Sequence, residues 1–199
     1  MKKKIVTLVG ALVFIAAVHA DTATVGATVN LNGTFFTGND AWSLGTNAAP
    51  SDLVDGVYQP TSHQWNHDSV WWNGGQNPGN NIVVDLAGSY LITDLKLQAD
   101  DNDWYNVEYL GLDLAWHLAW SVSPPGGWGL QTSSFIVGAP FVTSSFRLTA
   151  APGDGYYAIS EFEANGRKVS NNVPEGGATV AFFGAIVGLL AIARRKILT

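Results

Sequence analysis

Cysteine is absent from the 199-residue chain. That excludes disulfide staples, thiolate nucleophiles and cysteine-ligated zinc. Positive charge is almost missing from the middle of the sequence. Between residues 21 and 172 only Lys96, Arg147, Arg167 and Lys168 are basic, against fifteen Asp and Glu, a net charge of −11. A surface of that sign repels phosphate backbones and anionic lipid, so nucleic acid is excluded as a partner, while calcium or neutral sugars match it. No helical apolar period and no internal repeat runs through this middle region. It also lacks a His-Glu-x-x-His motif and a Gly-x-Ser-x-Gly elbow. His63 and His67 stand four apart, but they follow Pro60 without a helical signal, and no nucleophile accompanies either of them or Asp68. Both read as ordinary surface histidines, and a hydrolase ranks below a non-catalytic protein.

Apolar runs longer than a strand occur only at the two ends. Lys2, Lys3 and Lys4 precede the run Ile5 to Val18, and the small residue Ala20 precedes Asp21. A charged head, a short apolar middle and a small exit residue predict a cleaved signal peptide over 1–20. The run of about 14 residues falls short of the ~20 that cross a bilayer. At the other end, Val173-Pro174-Glu175-Gly176-Gly177 leads into an apolar stretch, Ala178 to Ala193, closed by Arg194, Arg195 and Lys196. A helix over 178–193 would be ~24 Å long, a short transmembrane segment. The basic residues after it would stay cytoplasmic and leave the large domain outside. A simple membrane anchor is the plainer reading. The whole tail, 173–199, also resembles the PEP-CTERM sorting signals of exopolysaccharide-producing bacteria, in a Val-Pro-Glu-Gly-Gly variant. That resemblance implies an exosortase as partner, transient anchoring in the inner membrane, and removal of the tail. The protein would then reach the cell envelope, the cell surface or the extracellular matrix.

Residues 21–172 remain as one domain, enough to bury roughly 70% of its unfolded surface. Their period is two. Leu91, Thr93, Leu95, Leu97 and Ala99 face one way along a strand, with Asp94, Lys96 and Gln98 opposite. Leu112, Leu114, Trp116, Leu118, Trp120 and Val122 alternate with polar or small residues, which predicts that Trp116 and Trp120 are core. Residues 82–86, 104–109, 144–150 and 156–164 also read as strands, separated by Gly, Pro and Asn clusters at 73–81 and 124–129. Short strands at this spacing predict an all-β jelly-roll sandwich.

Three segments, in order, carry a second resemblance. They are Leu53-Val54-Asp55-Gly56 with Thr61 and Trp65, then Ile82 to Leu86 with the Leu91 to Gln98 strand, then Ile159-Ser160-Glu161-Phe162-Glu163-Ala164-Asn165-Gly166. Together they resemble discoidin-like domains, the galactose-binding-like or coagulation factor type C fold also used by carbohydrate-binding modules. The resemblance implies a structural calcium held by Asp55, the Thr61 hydroxyl, Glu161 and carbonyls such as that of Val54. Calcium takes six to eight hard oxygens in irregular geometry, which suits such a set. The plainer alternative is that Asp55 caps a turn and Glu161 is solvated.

The run Asp100-Asp101-Asn102-Asp103 fails the EF-hand template, because Asn106 and Leu112 occupy its glycine and bidentate glutamate positions. It reads as a solvated hairpin-like turn, with a weak calcium contact as the alternative. Aromatic residues supply the ligand candidates among eight tryptophans. Trp72 and Trp104 lie beside Asn73 and Tyr105, and His63 adds a hydrogen-bonding group; such rings stack on pyranose faces. Trp71 and Trp72 are adjacent in a strand and point to opposite faces, so one of them is expected to face solvent or a loop. The leading expectation is an exported carbohydrate-binding module. A structural biofilm or matrix protein without a specific sugar ligand is the alternative.

Overall fold

The computed structural model describes residues 21–36, 47–75 and 77–169. The signal peptide, the sorting tail and Trp42 lie outside the described residues. In chain order the elements are β1 (Asp21–Thr22), β2 (Thr28–Asn32), a 3-10 helix (Pro50–Val54), β3 (Val70–Asn73), β4 (Asn81–Asp100), β5 (Tyr105–Leu110), β6 (Trp116–Val122), β7 (Leu130–Ala150) and β8 (Tyr156–Lys168).

Two strands are long enough to serve two sheets. The first part of β4, Asn81–Asp85, pairs with β2 on one side and with Ser145–Thr149 of β7 on the other. Its second part, Tyr90–Asp100, pairs with the first half of β7 and with β8. The register breaks between Asp85 and Tyr90, where Gly88 takes φ 148°, a backbone conformation that side-chain-bearing residues rarely adopt. One sheet therefore runs β2-β4-β7-β5-β6. The other runs β4-β7 with β8 alongside and the short β1 and β3 on the outer edge of β8. The two together form the all-β sandwich that the alternation predicted.

Between the sheets lie Trp72, Ile82, Val84, Ile92, Leu95, Leu97, Tyr105, Val107, Phe146, Leu148 and Phe162, all buried. The inward phase of β4 differs from the expected one. Ile92 is buried while Leu91 and Thr93 are only half-buried, because a bulge between Ile92 and Asp94 inserts one residue and shifts the alternation. Leu95, Leu97 and Ala99 then face the core as expected.

Two further expectations are corrected. Trp71 and Trp72 do point to opposite faces, yet both are buried. Trp72 enters the main core, whereas Trp71 forms a second cluster with Leu130 and Ala158 under Phe36 and Trp65. The Phe36 ring stacks on Trp71 at 3.9 Å and Trp65 meets it edge-on at 5.3 Å. Chain segments laid over the outer face of the sheet thus cover a ring that alternation alone would expose. The run from Leu112 is not a strand until Trp116. Residues 111–115 form a turn closed by Gly111 N–H to Ala115 O at 2.8 Å, with Leu114 at φ 63°. Leu112, Leu114 and Leu118 are 60–84% exposed, and Trp116 and Trp120 are half-buried, because β6 is a sheet edge. Trp120 stacks on Phe135 at 5.6 Å, and Trp116 lies under the Arg147 guanidinium at 4.8 Å.

Candidate functional site

Strand pairing brings four chain segments together at one end of the sandwich. Asn81 lies opposite Thr149, and Asn73 opposite Tyr156, so the ends of β3 and β7 meet the starts of β4 and β8. A cleft of about 390 Å³ opens there, lined by Trp72, Gly74, 77–81, Arg147, Thr149, 150–152 and Tyr157. Its loop is set by Asn77 N–H donating to Asn73 O at 2.8 Å and Gly74 N–H donating to Gly155 O at 2.8 Å. Asn80 is buried and structural: its Oδ1 accepts from the Thr34 N–H at 2.9 Å, and its amide donates to Thr34 O. The aromatic part of the lining is Trp72 against Tyr157, ring centroids 5.7 Å apart. Burial, then the charges of Asp103 and Asp154, raise the Tyr157 phenol above its ordinary value, so it is a neutral hydrogen-bonding group. Arg147 is oriented by a two-pronged pair with Glu108, at 2.7 and 3.0 Å.

The predicted ligand residues separate in the structure. Trp72 borders the cleft but is only 1% exposed, which corrects its reading as a stacking platform. Tyr105 is buried too, its hydroxyl donating to Ala158 O at 3.1 Å and accepting from Ala158 N–H at 3.0 Å. Neither ring is free to stack, because both are spent on the core. Asn73 sits half-buried at the end of β3, on the border of the cleft. Trp104 keeps an exposed ring, 42% accessible. Its backbone is tied to the cleft wall, N–H to Pro152 O at 3.4 Å and O from Ala151 N–H at 2.8 Å. His63 does not line the cleft. It forms a bridge with Leu130, and its Nε2 lies 3.1 Å from Asp68 Oδ2. Asn77, Asn81, Arg147, Thr149 and Tyr157 were not singled out as ligand residues in the sequence; the Asn-Gly-Pro cluster over 73–81 was a local signal for the first two alone, and the others lay within predicted strands.

The candidate calcium residues gather on the outer face of the second sheet. Gly56 N–H donates to Glu161 Oε1 at 3.2 Å, and Asp55 Oδ1 accepts from Val57 N–H at 2.7 Å. Val54 ends the 3-10 helix beside them, while Thr61 is exposed in the following turn. Glu161 is buried, not solvated, and its Oε2 has no hydrogen-bond partner. Burial pushes its carboxyl up to about 8, with the neighbouring Asp55 adding to the shift. Glu163, two residues on, shows the contrast. Burial pushes it up, but donors from Asn165, Lys96 (2.9 Å) and Tyr58 (3.0 Å) outweigh that and hold it below the usual value. A cleft of about 220 Å³ lined by Asp52, Asp55, Asp68 and Ser160, among others, opens in this region. An orphaned buried carboxylate oxygen beside a second carboxylate fits a hard cation such as calcium. Among the described residues, no three acidic or histidine side chains converge enough to hold a metal unaided, so backbone oxygens and water would have to complete the shell.

The Asp100 to Asp103 turn is also corrected: Asp100, paired with Leu130 at the end of β4, and Asp103, under the β7–β8 loop, are both buried.

No family model matches the chain, and no curated protein matches its sequence. Solved structures do match in fold. The family 32 carbohydrate-binding module of Clostridium perfringens NanJ, solved with galactose, aligns at a TM-score of 0.50 and 14% identity, over 74% of this chain and 99% of that one. A family 89 glycoside hydrolase from Clostridium perfringens aligns at 0.51 and 15% identity, over 77% of this chain but only 15% of its own. The chain has the discoidin-like jelly-roll fold of family 32 carbohydrate-binding modules.

Proposed function

We propose that this protein is an exported, non-catalytic carbohydrate-binding module acting at the cell surface or within exopolysaccharide, with the cleft at the β3–β4 and β7–β8 ends as its sugar site. The observation that carries this reading is the cleft itself. Asn77, Asn81, Arg147, Thr149 and Tyr157 come from three separate segments to line one concave cleft. Amide, hydroxyl and guanidinium groups suit the hydroxyls of a neutral sugar, and the ring face that the exposed Trp104 keeps suits the C–H face of a pyranose. The acidic surface favours neutral or cationic glycans over anionic ones. Trp104, exposed beside the cleft wall, extends the contact to a second sugar residue.

Asp55 and Glu161, with the Val54 carbonyl and the Thr61 hydroxyl, would hold a structural calcium in this reading. The tail over 173–199 would hand the protein to an exosortase at the inner membrane. The test is a glycan array with calcium and with chelator, followed by titration of Asn81→Ala and Trp104→Ala. Saturable binding weakened roughly tenfold by Asn81→Ala, with near-ultraviolet spectra unchanged, supports the site. A folded protein that binds no glycan in either condition overturns the reading. One observation favours a second reading: Leu112, Leu114 and Leu118 stand exposed at the β6 edge, which suits self-association in a matrix. Concentration-dependent assembly without glycan binding would place that reading ahead.

A further inference from the structure

The outer face of the β2-β4-β7-β5-β6 sheet is chemically unlike the rest of the domain. Alternation sends Ile82, Val84, Tyr105, Val107, Phe146 and Leu148 into the core, so their strand neighbours point the other way. Strand pairing aligns those neighbours in rows that cross the sheet. Asn32 stands opposite Asn81, Asn81 opposite Thr149, Thr149 opposite Asn106, and Asn106 opposite Ser121. Beside this row runs a second, in which Asn30, Val83, Arg147, Glu108 and Leu118 pair in turn.

Every side chain of the first row is an amide or a hydroxyl, and each is exposed or half-buried. Asn32 Nδ2 donates to Asn81 Oδ1 at 3.0 Å, and Ser121 Oγ donates to Asn106 Oδ1 at 3.1 Å. Such bonds orient the groups, and an amide keeps further donors and lone pairs beyond one bond. In the second row the only charges, Arg147 and Glu108, neutralise each other at 2.7 and 3.0 Å. The Arg147 guanidinium also lies over the Trp116 ring at 4.8 Å.

The acidic surplus is concentrated elsewhere. Asp100, Asp101, Asp103 and Asp154 stand around the β4–β5 turn, where Asp154 N–H donates to Asp103 Oδ1 at 3.0 Å. Burial, their largest influence, pushes Asp100 up to about 8 and Asp103 up to about 7. Asp52, Asp55 and Asp68 line the smaller cleft at the second sheet. A nearly neutral face on a domain of net charge −11 suits an uncharged, hydroxyl-rich partner, which strips no bare charge of its water. A second copy of this chain would bring its own −11 against the first.

The face is also continuous with the cleft, because Asn81, Arg147 and Thr149 belong to both. Five strands at ~4.8 Å spacing make the row about 19 Å long, room for several linked pyranoses. We propose that this face binds a neutral polysaccharide chain laid across the strands, along Asn32, Asn81, Thr149, Asn106 and Ser121. The module then recognises a stretch of polymer and not a single sugar. The inference rests on the sugar-binding reading of the cleft and extends it.

The test titrates the full chain with a neutral galactan and a neutral glucan, each supplied as its disaccharide and its hexasaccharide. In one series the hexasaccharide should bind roughly tenfold or more tightly than the disaccharide. Asn106→Ala combined with Ser121→Ala, neither of which lines the cleft, should remove that gain and leave disaccharide affinity where it was. Near-ultraviolet circular dichroism checks that the double variant folds. Equal affinity for the two lengths, or a double variant that binds the hexasaccharide like wild type, overturns the proposal and leaves the cleft reading standing. No binding of any of the four sugars overturns both. Wild-type self-association that the double variant abolishes, without a length effect on sugar binding, assigns the face to a second copy and likewise overturns the proposal.

Discussion

Replacing Glu161 by glutamine keeps the side chain's size while removing its ability to ionise. The wild-type carboxyl is buried with Oε2 unpartnered and is pushed up to about 8 from an ordinary 4.5. Between those values the folded state holds a proton that the unfolded chain has released. Without metal, stability is therefore fully present below the unfolded value and is lost as pH rises toward 8. The loss accrues at ~1.4 kcal/mol per pH unit, which integrates to about 2.5 kcal/mol between pH 5 and pH 7. That is a large part of the ~5–15 kcal/mol that holds a domain together. Glu161→Gln removes this contribution and leaves those of Asp100 and Asp103 common to both chains. Urea unfolding in chelator at the two pH values should show wild type losing about 2.5 kcal/mol more than the variant. Calcium at a hundredfold excess over its Kd should return about 2.7 kcal/mol to wild type and less to Glu161→Gln. Equal pH slopes for the two chains in chelator would refute the placement of a raised, uncompensated carboxyl at this position.

The remaining predictions concern packing and backbone. Trp71→Ala should cost about 3–5 kcal/mol in denaturant unfolding, against less than about 1 kcal/mol for Trp104→Ala, because only Trp71 leaves a cavity. Gln98 is buried and clamps the 59–61 segment, accepting from Gln59 N–H at 2.7 Å and donating to Gln59 O at 2.8 Å. Gln98→Ala should destabilise by ~1–3 kcal/mol and accelerate amide hydrogen exchange at Gln59. Leu114 is exposed at φ 63°, so Leu114→Gly should relieve about 1 kcal/mol of backbone strain and raise the Tm by ~2–4 °C. An unchanged or lower Tm would show that this turn pays no such penalty.

Strand order in the two sheets joins residues far apart in the chain, and function follows from that joining. The cleft draws on β3, β4, β7 and β8, and Tyr157 meets Trp72 across eighty-five positions of sequence. The orphaned oxygens of Glu161 and Asp103 likewise arise only where one segment is folded over another: the 55–57 turn over β8, and the 153–154 loop over the β4–β5 turn.

The sequence alone carries the period of two, the lack of a long helical pattern in the middle, the acidic charge and the lack of cysteine; these follow from local chemistry. It also placed Leu95, Leu97 and Ala99 on the buried side and marked Asp55 and Glu161 as a pair through resemblance to discoidin-like domains. The tertiary structure alone decided the rest. A bulge at Thr93 moved Ile92 into the core, and Phe36 and Trp65 covered Trp71. The edge position of β6 left Leu118 in solvent, and the β7–β8 loop closed over Asp103. Alternation reports which side chains share a face; whether that face meets a sheet, a loop or water depends on segments distant in sequence that pack against it.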